Sequence, residues 1–219
     1  MKKIIICDDH PIVREGLKQL ITGFGNYEIL DDVESGEALM KRLKKGTPHI
    51  VILDVSLPGS SGLEVLKSLK AVYENISVLI LSMYPEDQFA LRMIKAGASG
   101  YLHKDSKPEI LKEALDRIST GEEYISQSLT KILLGAVHGK KTTKANHELL
   151  SDREFEVFLA LGEGLSLSDI GCKLNLSVKT ISTYKSRIYD KMNMENTSEI
   201  VRYIMLNELG AQKDILERV

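Results

Sequence analysis

Short apolar runs punctuate the first 120 residues, and amphipathic stretches separate them. The runs are Ile4–Cys7, Tyr27–Val33, Ile50–Leu53, Val78–Leu81 and Gly100–His103. Apolar residues at helical spacing fill the intervals near 11–22, 36–45, 62–72 and 86–96, and again near 108–119. Strands this short and apolar, alternating with helices, predict βαβ units and a parallel sheet covered on both faces. Right-handed crossovers make this a doubly wound (βα)5 α/β domain. The punctuation agrees: Pro58-Gly59 marks a turn, Gly97 follows a helix, and Pro108 opens the last one.

The strand pattern stops before residue 148. Ser151-Asp152-Arg153-Glu154 reads as a capping box ahead of Phe155, Val157, Phe158 and Leu161. A Gly-Glu-Gly break at 162–164 precedes a short helix near 166–173 and a turn at Leu174–Leu176. Ser177 is a candidate N-cap for a helix from Val178 to about Met192, and a last helix runs from Thr197 to about Leu209. Short helices with a tight turn between the second and third predict an all-α helix-turn-helix domain. The chain therefore divides into 1–120, a partly helical linker at 121–147, and 148–219. The linker begins with helical spacing over Ser126–Val137 (Leu129, Ile132, Leu133, Ala136). It ends in a polar, basic stretch from His138 to Asn146 that reads as a tether.

Carboxylates gather where the predicted strands end. Asp8 and Asp9 follow the first strand, and Asp54 follows the third. In an open parallel sheet, ligands bind at the carboxyl edge. Carboxylates collected there repel one another unless they share a cation, which points to Mg²⁺ or Ca²⁺ on oxygen ligands. Taken alone, the pair could be surface aspartates. Ser82, at the end of the fourth strand, and Lys104, just past the fifth, reach the same edge. Three carboxylates, a hydroxyl, an ammonium and a divalent cation suit a phosphoryl group. The cations offset its charge, the hydroxyl donates a hydrogen bond, and one carboxylate is the nucleophile.

Composition changes this picture little. The 219 residues are 43% hydrophobic, enough for ordinary cores. No apolar run approaches the ~20 residues of a membrane span. Met1-Lys2-Lys3 precedes an apolar stretch ended by two aspartates, a core strand rather than a signal peptide. A cytoplasmic protein with no membrane partner is expected. Cys7 and Cys172 stand far apart and read as small buried residues, with no disulfide or zinc pattern. The formal charge of −2 decides nothing about nucleic acid, but its distribution does. Residues 146–219 hold 9 Lys+Arg and 12 Asp+Glu, yet 173–191 hold five basic residues against one acidic. Positive charge on one element of an otherwise acidic domain is the footprint of a reading helix, although a solvated helix face would also carry it. Val178, Ile181, Tyr184, Ile188 and Met192 share one side of that helix and should face the core. Lys179, Ser182, Thr183, Ser186 and Arg187 lie broadly opposite, with Lys185 at the border: small hydroxyls for base edges, cations for phosphates.

Residues 1–120 resemble the receiver domain of two-component response regulators. The resemblance rests on Asp8-Asp9, on Asp54 within Ile-Leu-Asp-Val-Ser-Leu-Pro-Gly, and on Ser82, Tyr101 and Lys104. It implies that Asp54 accepts a phosphoryl group from a sensor histidine kinase. It implies Mg²⁺ on Asp9, Asp54 and the Ser56 carbonyl, with Asp8 contributing partly through water. It implies that Ser82 and Lys104 grip the phosphoryl oxygens while Tyr101 swings inward as Ser82 moves. Ser56 and Tyr84 stand where the family tunes dephosphorylation. Asp105 stands where the family often has proline, so a retained cis bond at Lys104–Asp105 would be a costly non-proline one. The segments around Leu149, Gly162 and Leu176–Ile188 are similar to the LuxR-type helix-turn-helix of the NarL/FixJ class. That resemblance implies base-proximal Lys179, Ser182, Thr183 and Ser186, and phosphate contacts from Thr180, Lys185 and Arg187. It also implies promoter DNA bound by a homodimer, with RNA polymerase as the downstream partner. The reading helix is especially like those of regulators served by multi-step hybrid kinases. Two alternatives remain: a metal-dependent phosphatase working through an aspartyl-phosphate, and a regulator never phosphorylated. The adjacency of Asp8 and Asp9 weighs against the first, since haloacid-dehalogenase-type enzymes space their aspartates by one residue. The complete acceptor set weighs against the second. Apart from assisting its own phosphorylation and dephosphorylation, the chain is not expected to be an enzyme.

Overall fold

The structure, a computed structural model, describes residues 1–84, 86–126, 128–130, 146–207 and 209. It divides into two compact units, Met1–Ala136 and Val137–Val219. In the first, strands β1 (Lys2–Cys7), β2 (Tyr27–Val33), β3 (Ile50–Asp54), β4 (Ser77–Ser82) and β5 (Gly100–His103) alternate with helices. These are α1 (Pro11–Gly23), α2 (Gly36–Leu43), α3 (Gly62–Val72), α4 (Glu86–Lys95) and α5 (Pro108–Ser119). All strand pairs are parallel, in the order β2-β1-β3-β4-β5. The order reverses between β1 and β3, so a crevice opens where Cys7 and Leu53 pair and the chain runs on into the aspartates.

Alternation across the pleat divides the burial. Ile4, Ile6, Ile50, Ile52, Leu79 and Leu81 form one core with Leu17 and Ile21 of α1 and Leu111, Leu115 and Ile118 of α5. Ile5, Cys7, Val51, Leu53, Val78 and Ile80, one residue out of phase, are as deeply buried on the opposite face. The edge strand β2 shifts register between Ile4 and Ile5, a bulge, and carries Asp31 and Asp32. Asp31 pairs with Arg42 of α2, and Asp32 pairs with Arg14 and Lys18 of α1.

Local chemistry starts each helix. Ser35 caps α2, and Ser61 with Glu64 forms a reciprocal capping box on α3. Pro11 and Pro108 occupy the first turns of α1 and α5, where a missing N–H costs nothing. Gly62 lets α3 start against the end of β3, since a Cβ there would lie 2.3 Å from the Asp54 carbonyl. Past α5, Tyr124 bridges to Gly100 in parallel, and the Ser126 and Ser128 hydroxyls both donate to the Glu86 carboxylate of α4.

Among the described residues, the second unit starts with a 3-10 turn at Asn146–Leu149, which the sequence did not predict. Four helices follow among the described residues: α6 (Asp152–Gly162), α7 (Leu167–Leu174), α8 (Val178–Met192) and α9 (Thr197–Leu206). Ser151 with Glu154, and Ser166 with Asp169, form capping boxes, and Ser177 caps α8 as expected. The α7–α8 turn runs through left-handed Asn175, and the Leu176 N–H donates to Gly171 O at 2.8 Å. Phe155, Phe158, Ile170, Leu174, Ile181, Ile188, Met192 and Ile200 close the core.

Several expectations need correction. Cys7 is buried as expected, but Cys172 is exposed, on the outer side of α7. Val178 does not face the core but is 50% exposed in the first turn of α8, ahead of the packed part of that helix. No cis peptide occurs among the described residues, so the Lys104–Asp105 bond is trans. The last helix ends at Leu206 rather than near Leu209, though Leu209 is still buried and donates its N–H to Ile204 O. Apart from a few residues, the expected helix over Ser126–Val137 and the tether after it lie outside the described residues.

Candidate functional site

Each strand of the crevice delivers one group. Asp8 follows β1, and Asp54 ends β3; both are 2% exposed. The Lys104 ammonium, arriving from beyond β5, sits 2.7 Å from Asp8 Oδ2 and 2.8 Å from Asp54 Oδ2. One cation is therefore shared by two buried carboxylates, and the half-buried Asp9 lies beside them. Burial raises the Asp54 carboxyl above its usual range, aided by Asp8 and opposed by Lys104 and the Ser56 N–H. Burial lowers Lys104, but Asp54 and Asp8 outweigh it, so the ammonium is held charged above its usual range.

The acidic edge has room for a divalent ion. Asp8, Asp9, His10 and Asp54 each offer one ligand atom, all within 4.8 Å of one another. The buried Oδ1 of Asp9 accepts no hydrogen bond, although His10 Nδ1 lies 2.8 Å away. A carboxylate oxygen that takes no hydrogen bond is a ligand position open to a hard cation. The donor set of carboxylates fits Mg²⁺.

Ser82 is fully buried and accepts the Tyr84 N–H at 3.1 Å. Its carbonyl receives the Lys104 N–H, which ties the ends of β4 and β5 together. Tyr101 lies inward at 1% exposure and donates its hydroxyl to Tyr84 O at 2.7 Å. Burial raises the Tyr101 phenol, and the neighbouring Ser82 hydroxyl opposes that shift. Thus Asp8, Asp9, Asp54 and Lys104 converge on one pocket. The Ser56 N–H acts on Asp54 only as an influence that lowers its carboxyl, and Ser82, Tyr84 and Tyr101 form an adjoining cluster.

Two residues were missed. His10 joins the acidic cluster, and its place directly after Asp9 was the available signal. Arg14 donates to the Asp8 carbonyl at 2.7 Å and to Asp32 Oδ2 at 2.8 Å. Nothing local announced it, because Asp32 is 18 positions away on another strand.

On α8, Lys179, Ser182, Thr183, Ser186 and Arg187 are exposed, and Thr180 and Lys185 are half-buried. Thr180 Oγ1 is 2.8 Å from Ser177 Oγ at the helix cap, and Thr183 Oγ1 donates back to Lys179 O. The Lys185 ammonium lies 5.4 Å from the Tyr189 ring centre, a cation–π distance. Below this surface, Lys191 Nζ bonds Glu154 Oε2 at 2.6 Å, pinning the end of α8 to the start of α6. No described helix is long and apolar enough to cross a membrane.

Comparison with known proteins places both regions. Residues 4–116 match the response regulator receiver domain, and residues 148–204 match the luxR family of bacterial regulatory proteins. The chain is 34% identical over 194 residues to a nitrate/nitrite response regulator protein homolog of Haemophilus influenzae, covering 89% of this chain and 91% of that one. It is 31% identical over 214 residues to the oxygen regulatory protein NreC of Staphylococcus epidermidis, covering 94% and 98%. Among solved structures, it resembles RcsB of Salmonella enterica bound to promoter rprA with the phosphomimetic BeF3−. That match has a TM-score of 0.65 and 28% identity, over 94% of this chain and 99% of that one.

Proposed function

This chain belongs to the two-component response regulators that join a receiver domain to a LuxR-type DNA-binding domain, and on that premise we propose that Asp54 is its phosphoryl acceptor. The observation that carries this is the Lys104 ammonium held between Asp8 and Asp54, with the Asp9 carboxylate in the same cluster. An Asp54 oxygen attacks the phosphorus of a kinase phosphohistidine; the P–N bond breaks, and the imidazole leaves with its electron pair. Lys104 turns to the incoming phosphoryl oxygens, and the Ser82 hydroxyl donates to another. Asp8, Asp9, Asp54 and the Ser56 carbonyl would hold Mg²⁺, which when bound neutralises phosphoryl charge.

Ser82 accepts the Tyr84 N–H and Tyr101 donates to the Tyr84 carbonyl, so recruitment of Ser82 to the phosphoryl group redistributes that cluster and changes the α4-β5-α5 face. Flipping such an equilibrium takes about 5 kcal/mol of differential contacts, within reach of a few charge-assisted hydrogen bonds at ~1.5–3 kcal/mol each. The receiver at 1–120, the linker at 121–147 and the effector at 148–219 then work as sensor, tether and reader. The activated protein is a homodimer. It reads paired promoter half-sites with Lys179, Ser182, Thr183 and Ser186 near base edges and Thr180, Lys185 and Arg187 on phosphates. A sensor histidine kinase, in a hybrid phosphorelay, supplies the phosphoryl group, and RNA polymerase responds, all in the cytoplasm. Catalysis is confined to the protein's own phosphorylation and dephosphorylation.

Labelling with acetyl phosphate, compared between wild type and Asp54→Asn, tests the acceptor; undiminished label in the variant would overturn it. Sustained turnover of a small phosphoester would instead favour a phosphatase. A DNA footprint untouched by Lys179→Ala with Thr183→Ala would remove the reading-helix assignment.

A further inference from the structure

We propose that Arg14, on the first turn of α1, is a positioning residue for the acidic metal site. This inference rests on the metal reading given above. The Asp8 peptide is held from both sides: its N–H donates to Val33 O at 3.1 Å, and its carbonyl accepts Arg14 NH1 at 2.7 Å. The same guanidinium donates Nε to Asp32 Oδ2 at 2.8 Å, where Lys18 also bonds Asp32 Oδ1 at 3.1 Å. Asp32 lies past the β2 bulge, so the edge strand, α1 and the acidic turn meet in one planar group. The Arg14 side chain is only 14% exposed, so solvent offers the Asp8 carbonyl little substitute.

The consequence falls on the carboxylates. With its peptide fixed, the Asp8 side chain accepts the His10 N–H at 2.8 Å, which sets the turn carrying Asp9. Arg14 thereby orients Asp8 and Asp9 without touching the ion. A guanidinium suits this role because its rigid fork serves a carbonyl and a carboxylate at once; a lysine ammonium is a single point of charge.

Charge and geometry predict opposite signs. A cation close to a metal site repels the metal, so if Arg14 acted by charge alone, Arg14→Gln would tighten divalent binding. If Arg14 acts by position, Arg14→Gln weakens it, by about 10-fold on the scale of other outer-shell ligands. Arg14→Lys keeps the charge, loses the fork, and falls between wild type and Arg14→Gln. The experiment is titration of the full chain with Mn²⁺, counting free Mn²⁺ by electron paramagnetic resonance, with thermal melts of the metal-free proteins as the folding control. If Arg14→Gln fails to fold, Arg14→Lys alone decides: weakened binding supports the proposal, wild-type binding overturns it. Unchanged or tighter binding by folded Arg14→Gln also overturns it. Wild-type Mn²⁺ binding that survives Asp9→Asn would instead overturn the metal reading, and this inference with it.

Discussion

The two candidate surfaces of this chain treat charge in opposite ways. At the sheet edge, Asp8 and Asp54 are 2% exposed and share Lys104. On α8, Lys179, Ser182, Thr183, Ser186 and Arg187 all face water. A buried site is organised before its ligand arrives, and each group is answered by another, so deleting one disturbs all of them. An exposed helix face is organised only as far as its backbone, and its side chains contribute singly and are screened by salt. Loss should therefore be near all-or-none at the first surface and graded at the second.

The largest expected effect is at the proposed acceptor: Asp54→Asn brings acetyl-phosphate labelling to background, read by intact mass. A merely partial loss would break the contrast. Next come the glycines that let each surface form. A Cβ at Gly62 would meet the Asp54 carbonyl at 2.3 Å, and one at Gly171 would meet the Leu176 carbonyl at 2.7 Å. Overpacking of this kind costs about 1–3 kcal/mol. Urea unfolding should thus show Gly62→Ala and Gly171→Ala each destabilising its own unit; near-neutral variants would show that the backbone yields. Smaller still is Lys179→Ala. Its DNA affinity should fall uniformly across sequences if it contacts phosphate, with the salt slope reduced by about 1. It should fall for the preferred site alone if it reads a base. Binding titrations at several salt concentrations separate these.

The smallest effect concerns the support of the reading helix. Burial would raise the Glu154 carboxyl, but hydrogen bonds from Lys191 and Ser151 outweigh it and hold it below the usual range. A depressed folded value contributes stability above the unfolded value of about 4.3, and that stability is lost as pH falls through the folded value. Wild type should lose melting temperature on acidification through this window more steeply than Glu154→Gln; parallel curves would remove Glu154 from the account.

Much of this was legible beforehand. Strands of uninterrupted Ile, Val and Leu announced a covered parallel sheet, and Ser-x-x-Glu at 151–154 announced a helix start, because both are written in adjacent residues. Asp8, Asp9 and Asp54 were legible for the same reason: each stands at or within two residues of a strand's end. Val178 was misread because helical periodicity says nothing about how far along a helix the core reaches. Arg14 could not be read at all.

What the chain alone determined is the order of elements, their caps and the groups delivered to the sheet edge, since each depends on neighbours a few positions apart. Only the tertiary structure decided the distances that make those groups a site: Lys104 between two aspartates, Tyr101 against the Tyr84 carbonyl, Arg14 across the Asp8 peptide and Asp32. These contacts join distant stretches of chain through strand register and a bulge, and register is set by packing over the whole sheet rather than by any local run of residues.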